Sequence, residues 1–150
     1  MNDDVESVLN DLIETSIDGE KGFLKAAKDA HDAELKSLFT DGAHRCREGA
    51  VELQSQLQSQ GLRPDTSGSA AGALHRGWIS VREVLASRDD KAILEECERG
   101  EDFAKAAYKK ALGKDLPSDI RAIIERQYQG VTANHDRVRD LRDRYRAAAA

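Results

Sequence analysis

The sequence predicts an all-α fold, in which four long helices form a bundle and a long crossover contains a short fifth helix. Charged residues make up 34% of the 150 residues, and only two residues are proline. Alanine and leucine are frequent, which is typical of helices. Apolar residues recur at helical spacing, and capping residues divide the chain at points that agree with this spacing. We find no segment rich in strand-forming residues.

Capping residues define the first two helices. The first is predicted at residues 4–30 and the second at residues 33–60. Asp32 has the position and residue type of an N-cap for the second helix, and Gly61 those of the glycine that follows a helix end. Because the link between the two helices is tight, we expect them to form an antiparallel hairpin.

A second hairpin follows later in the chain. Its first helix is predicted at residues 90–112, where Asp89 or Asp90 marks the start and Gly113 the end. The last helix is predicted at residues 117–145, with Pro117 in its first turn. The short link again predicts antiparallel helices.

The segment between the hairpins contains the predicted short helix, at residues 70–87. Its apolar residues fall on one side at helical spacing: Leu74, Trp78, Val81 and Leu85. At about 1.5 Å per residue, this helix climbs most of the length of the bundle. The second and third helices then run parallel, which is a ferritin-like topology. We expect a single ferritin-like domain over residues 1–150.

Composition and charge restrict the location and the partners. The formal net charge is -5 and the chain has two cysteines, Cys46 and Cys97. Negative charge disfavours nucleic acid and anionic membranes as partners. The N-terminal residues do not resemble a signal peptide, and no apolar run approaches the length of a membrane span. These features predict a cytoplasmic protein that associates with a protein partner or with itself.

Several polar residues project onto the apolar faces of the predicted helices. Counting from the hairpin turns places five of them at similar heights near mid-bundle: Glu20, Cys46, Cys97, Glu101 and His135. Gln127 and Asn134 also fall on the apolar side of the last helix. Because carboxylates are rarely buried unless they are paired or bound to metal, these residues need a joint explanation.

Two explanations are open for these inward-facing polar residues. In the first, His135 is hydrogen-bonded to Glu101, Tyr128 or Asn134, and the polar residues form a layer that fixes helix pairing. Of these partners we expect a direct contact with Glu101. In the second, Glu20, Glu101, His135 and Cys46 hold one ion such as zinc or iron, with no other cofactor expected. The cysteines are read as apolar filling, or as a redox pair if their Cα atoms lie within about 7 Å.

Four segments of the chain resemble a known family: LNDLIETSIDGEKGF, SGSAAGALHRGW, AILEECERGED and ERQYQGVTANHDRVRDLRD. They are similar to a bacterial family of uncharacterised four-helix proteins, catalogued as a domain of unknown function and placed in the ferritin-like superfamily. The resemblance covers nearly the whole chain. It implies the four-helix fold with a long crossover, and it implies no settled activity.

The di-iron pattern of ferritin-like proteins is incomplete in this sequence. That pattern has one glutamate on each of two helices and a Glu-x-x-His pair on each of the other two. The second helix presents Cys46 and Gly49 instead, and on the last helix Thr132 stands three residues before His135. We therefore expect a non-enzymatic interaction protein with a degenerate metal site, associated with stress as ferritin-like relatives often are. The alternative is a metal-binding oxidoreductase or storage protein.

Overall fold

The computed structural model describes residues 2–62 and 89–149, and every regular element in these two ranges is an α-helix. The elements are α1 (Asn2–Asp29), α2 (Ala33–Ser59), α3 (Asp90–Leu112) and α4 (Ser118–Ala149). The all-α prediction is confirmed for the described ranges. The predicted short helix at residues 70–87 lies outside them.

The predicted caps of α2 form as expected. The Asp32 carboxylate accepts a hydrogen bond of 2.7 Å from the backbone N–H of Glu34. At the other end Gly61 has φ +69°, a left-handed conformation that favours glycine. The backbone N–H of Leu62 then donates to the carbonyl of Leu57 at 3.0 Å, which closes a Schellman motif. Short-range chemistry therefore sets both ends of this helix.

The second hairpin also begins where the sequence indicates. Asp89 caps α3 and accepts from the backbone N–H of Lys91 at 3.1 Å. The carbonyl of Pro117 accepts from the N–H of Arg121 at 2.9 Å, so α4 starts directly after this proline. The helix continues past the predicted end at residue 145 and reaches Ala149.

Hydrogen bonds between the turn and α3 fix the helix directions. The backbone N–H groups of His31 and Asp32 donate to the Asp90 carboxylate at 2.8 and 2.9 Å, so the α1–α2 turn lies against the start of α3. The end of α4 reaches the same place, where Arg144 pairs with Glu34 at 3.3 Å. Thus α2 and α3 run parallel, as the sequence predicts, while α1 and α4 run the opposite way.

The four helices pack as a bundle in the order α1, α2, α4, α3 around its axis. The contacts of α1 with α2 and of α3 with α4 are extensive, whereas α2 and α4 touch at few places. At Gly42 a Cβ atom would lie 3.1 Å from the Phe23 ring, so α1 and α2 approach closely there. Among the described helices, none has the length and apolar character of a membrane span.

Buried apolar side chains form two clusters, one at each end of the bundle. The upper cluster, beside the α1–α2 turn, contains Phe23, Ala26, Ala30, Leu35, Leu38, Phe39, Ala43, Ile93, Leu94, Cys97, Val138 and Leu141. The lower cluster, beside the α3–α4 turn, contains Val5, Val8, Leu9, Leu12, Ile13, Leu53, Leu57, Tyr108, Ala111, Leu116, Ile120 and Ile124. Polar groups occupy the level between them.

Candidate functional site

A cavity of about 440 Å³ lies between the two clusters, at the level where polar residues replace apolar ones. All four helices contribute to its walls, which include Ser16, Phe23, Arg45, Cys46, Glu52, Glu101, Ala104, Tyr108, Gln127 and Val131. The cavity also touches the exposed residues Glu48 and Arg126, on the side where α2 and α4 barely meet. It therefore connects the bundle interior with the α2–α4 surface.

Glu101 is the buried carboxyl group of this cavity, with 2% of its surface exposed. Asn134 Nδ2 donates to Glu101 Oε1 at 2.7 Å, and Arg45 lies 3.8 Å from Glu101 Oε2. Burial raises the pKa of Glu101 to about 7, against the opposing effects of the Asn134 hydrogen bond and the Arg45 charge. Glu101 is therefore a carboxyl that gains or loses its proton near neutral pH.

A chain of hydrogen bonds connects the lower cluster with the surface. Tyr108 donates its hydroxyl proton to Gln127 Oε1 at 2.7 Å, and Gln127 Nε2 donates to Glu52 Oε1 at 2.8 Å. Glu52 is also paired with Arg126 at the mouth of the cavity. Burial raises the pKa of Tyr108 to about 12, so its proton is held firmly. The chain fixes the side-chain orientations on the α4 wall.

The two cysteines are free thiols. Burial raises the pKa of Cys46 to about 12, and the carboxylates of Glu101 and Glu20 add to the increase. Burial likewise raises the pKa of Cys97 well above its ordinary value. Because the thiolate is the reactive form, neither sulfur is prepared for nucleophilic or redox chemistry. This agrees with their interpretation as apolar filling.

His135 does not bind Glu101, so the expected direct contact is wrong. Its Nε2 lies 2.5 Å from Asp102 Oδ1, on the edge between α3 and α4. The position facing Glu101 is taken by Asn134, the preceding residue, which is 1% exposed. Neighbouring residues differ by about 100° around a helix, so one of the two points inward and the other lies along the edge.

Two buried polar atoms near this edge are unsatisfied. Within the two described ranges, neither Thr132 Oγ1 nor His135 Nδ1 has a hydrogen-bond partner. The two residues are three positions apart and so lie on the same face of α4. Asp136 Oδ1 lies 3.8 Å from Nδ1, which is too far for a hydrogen bond.

The residues predicted as metal ligands lie at one level but do not converge. Cys46 and Glu101 both line the cavity, and the carboxylates of Glu20 and Glu101 both act electrostatically on Cys46. Within residues 2–62 and 89–149, however, no three His, Cys, Asp or Glu side chains are grouped so that they could hold a metal ion. Metal ligation by Glu20, Cys46, Glu101 and His135 stays a prediction.

Sequence reasoning missed two residues of the site. Glu52 is not among the candidate residues named from the sequence, yet it is half-buried and accepts a hydrogen bond from Gln127. Arg45 was not singled out, and it reaches the Glu101 carboxyl. Both are long side chains at the edge of the apolar face, where the stem can carry a charged group inward. Their position at that edge was the available signal.

Comparison with protein families gave a match to most of the chain. The model of a family described as a domain of unknown function (DUF2383) matches residues 4–114. No curated protein was found to match the chain. The family match includes α1, α2 and α3, with Arg45 and Glu101, and it ends before α4 begins.

Proposed function

We propose that this chain, which belongs to the family described as a domain of unknown function (DUF2383), is a ferritin-like bundle that binds a small molecule and performs no catalysis. One observation carries the proposal. Glu101, which is 2% exposed, forms part of the wall of a cavity of about 440 Å³ between the four helices. Helix bundles build ligand sites from side chains on facing helices, and ligand cavities are commonly about 300 to 1,000 Å³.

Binding is also supported by the groups around the cavity. A strongly shifted carboxyl pKa beside a cavity is a mark of functional sites. The Tyr108 hydroxyl donates to Gln127 and His135 Nε2 is held by Asp102, so neither of these two groups is positioned as a proton-transfer partner of Glu101. This arrangement favours recognition of a ligand over acid–base catalysis.

The residues present do not fit the di-iron centre that a ferritin-like fold implies. Glu101 Oε1 accepts from Asn134, and the guanidinium of Arg45 lies beside Glu101 Oε2. A positive charge at this distance repels a second cation, and an amide is a weaker ligand than a carboxylate. We therefore describe the metal site as degenerate.

Metal analysis distinguishes the metal-binding alternative from this proposal. Protein expressed with iron, zinc or manganese supplied should contain each metal far below one ion per chain, unchanged by His135→Ala. One ion per chain that is lost in both Glu101→Gln and His135→Ala would replace the binding proposal with a metal centre.

The expectations on location and partners are also proposals. A net charge of -5 supports partners other than nucleic acid or anionic membranes. Association with a protein partner or with itself, in the cytoplasm and under stress, is proposed from the ferritin-like resemblance. Three exposed apolar side chains support such contacts: Leu24, Val51 and Phe103.

A fragment screen by NMR tests the cavity as a binding site. Small molecules should shift the amide signals of Tyr108 and Gln127, which line the cavity. Ala104→Phe, which places a bulky ring inside the cavity, should abolish these shifts, while Ala106→Phe on the exposed side of α3 should retain them. Shifts unaffected by Ala104→Phe in a folded variant, or no shifts with the wild-type chain, would refute small-molecule binding.

A further inference from the structure

We infer that the ligand of the central cavity is a small, uncharged, amphipathic molecule whose polar head both donates and accepts a hydrogen bond, as a primary amide does. This inference rests on the proposed function of the cavity. It follows from an open acceptor and an open donor that lie side by side, from the balance of charges around them, and from the apolar inner wall.

The open acceptor is Glu101 Oε2. Asn134 binds the other oxygen, and Oε2 makes no hydrogen bond to any group in the described part of the chain. Glu101 is nine-tenths buried and lines the cavity, so a group inside the cavity can reach this oxygen. A buried acceptor is stabilised when a donor reaches it, which calls for an N–H or O–H on the ligand.

The open donor is the guanidinium of Arg45. Its nitrogen lies 3.8 Å from Glu101 Oε2, whereas a charge-assisted hydrogen bond is about 2.7 to 2.9 Å long. The two groups attract each other without a direct hydrogen bond. A ligand head placed beside both can therefore donate to Glu101 and accept from Arg45 at once.

Charges around the cavity are already paired, and this disfavours a charged ligand. Arg45 accompanies Glu101, and Arg126 is paired with Glu52. Glu48, the remaining carboxylate of the lining, is 68% exposed at the mouth and lies beside His44. A buried ammonium would meet Arg45 and a buried carboxylate would meet Glu101, so either ion would be left without full compensation.

The apolar inner wall of the cavity determines the part of the ligand that lies beyond its polar head. Phe23, Ala104 and Val131 line the cavity with apolar surface, and Phe23 is 1% exposed. An apolar body packed against these side chains is removed from water while the head stays at the polar pair. The site is therefore suited to a molecule that has an apolar body and a polar head.

Three probes with the same short chain test the head chemistry: butyramide, butylamine and butyrate. At pH 8, NMR titrations of the amide signals of Tyr108 and Gln127 should give butyramide an affinity at least about tenfold higher than either ion has, since about 1.4 kcal/mol is one factor of ten. The sharpest contrast is expected in two variants. Glu101→Gln should raise the affinity for butyrate, because it removes the negative charge that opposes this ion. Arg45→Gln should raise the affinity for butylamine, because it removes the positive charge that opposes the ammonium group.

The outcomes separate the two proposals. Equal binding of all three probes that Ala104→Phe blocks would overturn the inference on head chemistry and leave the cavity as a binding site. Tighter binding of either ion than of the amide would overturn it as well. Absence of shifts for every probe up to its solubility limit would refute both.

Discussion

The two apolar clusters and the polar level between them are held together in different ways. The clusters are stabilised by the burial and close packing of apolar side chains. Phe39 is 0% exposed, and the centroid of its ring lies 6.2 Å from the centroid of the Phe23 ring. At the polar level Glu101 is also deeply buried, but its carboxyl group is stabilised there by the hydrogen bond from Asn134 and by the positive charge of Arg45. The apolar ends of the bundle therefore stabilise the fold, and part of that stability offsets the cost of the buried polar groups in the middle.

The same contrast appears between the two sides of α2. Towards α1 there is no room for an added methyl group, since a Cβ on Gly19 would lie 2.9 Å from Cys46 Sγ. Towards α4 there is room, since a Cβ on Gly49 would lie 3.6 Å from Gln127, an ordinary contact distance. The cavity reaches the surface on this looser side, beside Glu48 and Arg126.

The largest expected effect comes from breaking a cluster. Phe39→Ala should lower the free energy of unfolding by about 3 to 5 kcal/mol, because it removes a fully buried aromatic ring and leaves a void. Urea denaturation followed by circular dichroism measures the change. Phe103→Ala is the matched control, because Phe103 is 38% exposed and its removal should have a much smaller effect. Equal losses in the two variants would contradict the assignment of the upper cluster as core.

An intermediate effect is expected from the carboxyl of the polar level. The folded pKa of Glu101 is about 7 and its ordinary value is 4.5, so the folded state holds the proton over this range while the unfolded state has lost it. The free energy of unfolding therefore falls as pH rises from about 4.5 to 7, by up to roughly 3 kcal/mol. Glu101→Gln should not show this loss and should be the more stable protein above pH 7.

Unfolding curves at several pH values check this difference. Glu48→Gln provides the control, because the Glu48 side chain is 68% exposed and its titration should alter stability little. If the free energy of unfolding changes with pH in the same way for the wild type and Glu101→Gln, ionisation of Glu101 does not destabilise the folded state. That result would contradict the raised pKa of Glu101.

The smallest effects are expected from alanine substitutions on the two sides of α2. Gly42→Ala should destabilise the protein by about 1 to 3 kcal/mol, because its Cβ would lie 3.1 Å from the buried Phe23 ring. Gly49→Ala should be neutral or stabilising by up to about 1 kcal/mol, since alanine favours the helix and its Cβ meets Gln127 at an ordinary distance. Thermal unfolding of both variants shows whether each substitution raises or lowers the stability of the protein. Similar destabilisation by the two substitutions would show that both sides of α2 are equally tight.

The helices were predictable because their signals are local. Asp32 caps α2 through bonds to residues two and three positions later, and Gly61 adopts the left-handed conformation at the helix end. The directions of the helices followed from short links, and the parallel arrangement of α2 and α3 agrees with the hydrogen bonds to Asp90. None of these features depends on the partner of a particular side chain.

The sequence predicts which residues occupy the polar level better than it predicts which of these residues contact each other. Projection placed Glu101, Gln127 and Asn134 on the inner faces, and Glu101 and Asn134 are buried. It did not decide whether Asn134 or His135 faces Glu101, because both residues project near the apolar side of α4 and the projection does not set the exact rotation of the helix about its axis. It also treated each residue as a point, so the inward reach of Arg45 and Glu52 was missed.

The most direct test of the account is the pKa of Glu101 in the folded protein, measured by ¹³C NMR of its side-chain carboxyl during a pH titration. We expect a midpoint near 7, because burial outweighs the stabilising contacts from Asn134 and Arg45. Replacing Asn134 by alanine should raise the midpoint further, since it removes a hydrogen bond that favours the ionised form. A midpoint close to 4.5, unchanged by Asn134→Ala, would contradict the buried carboxyl on which the binding proposal depends.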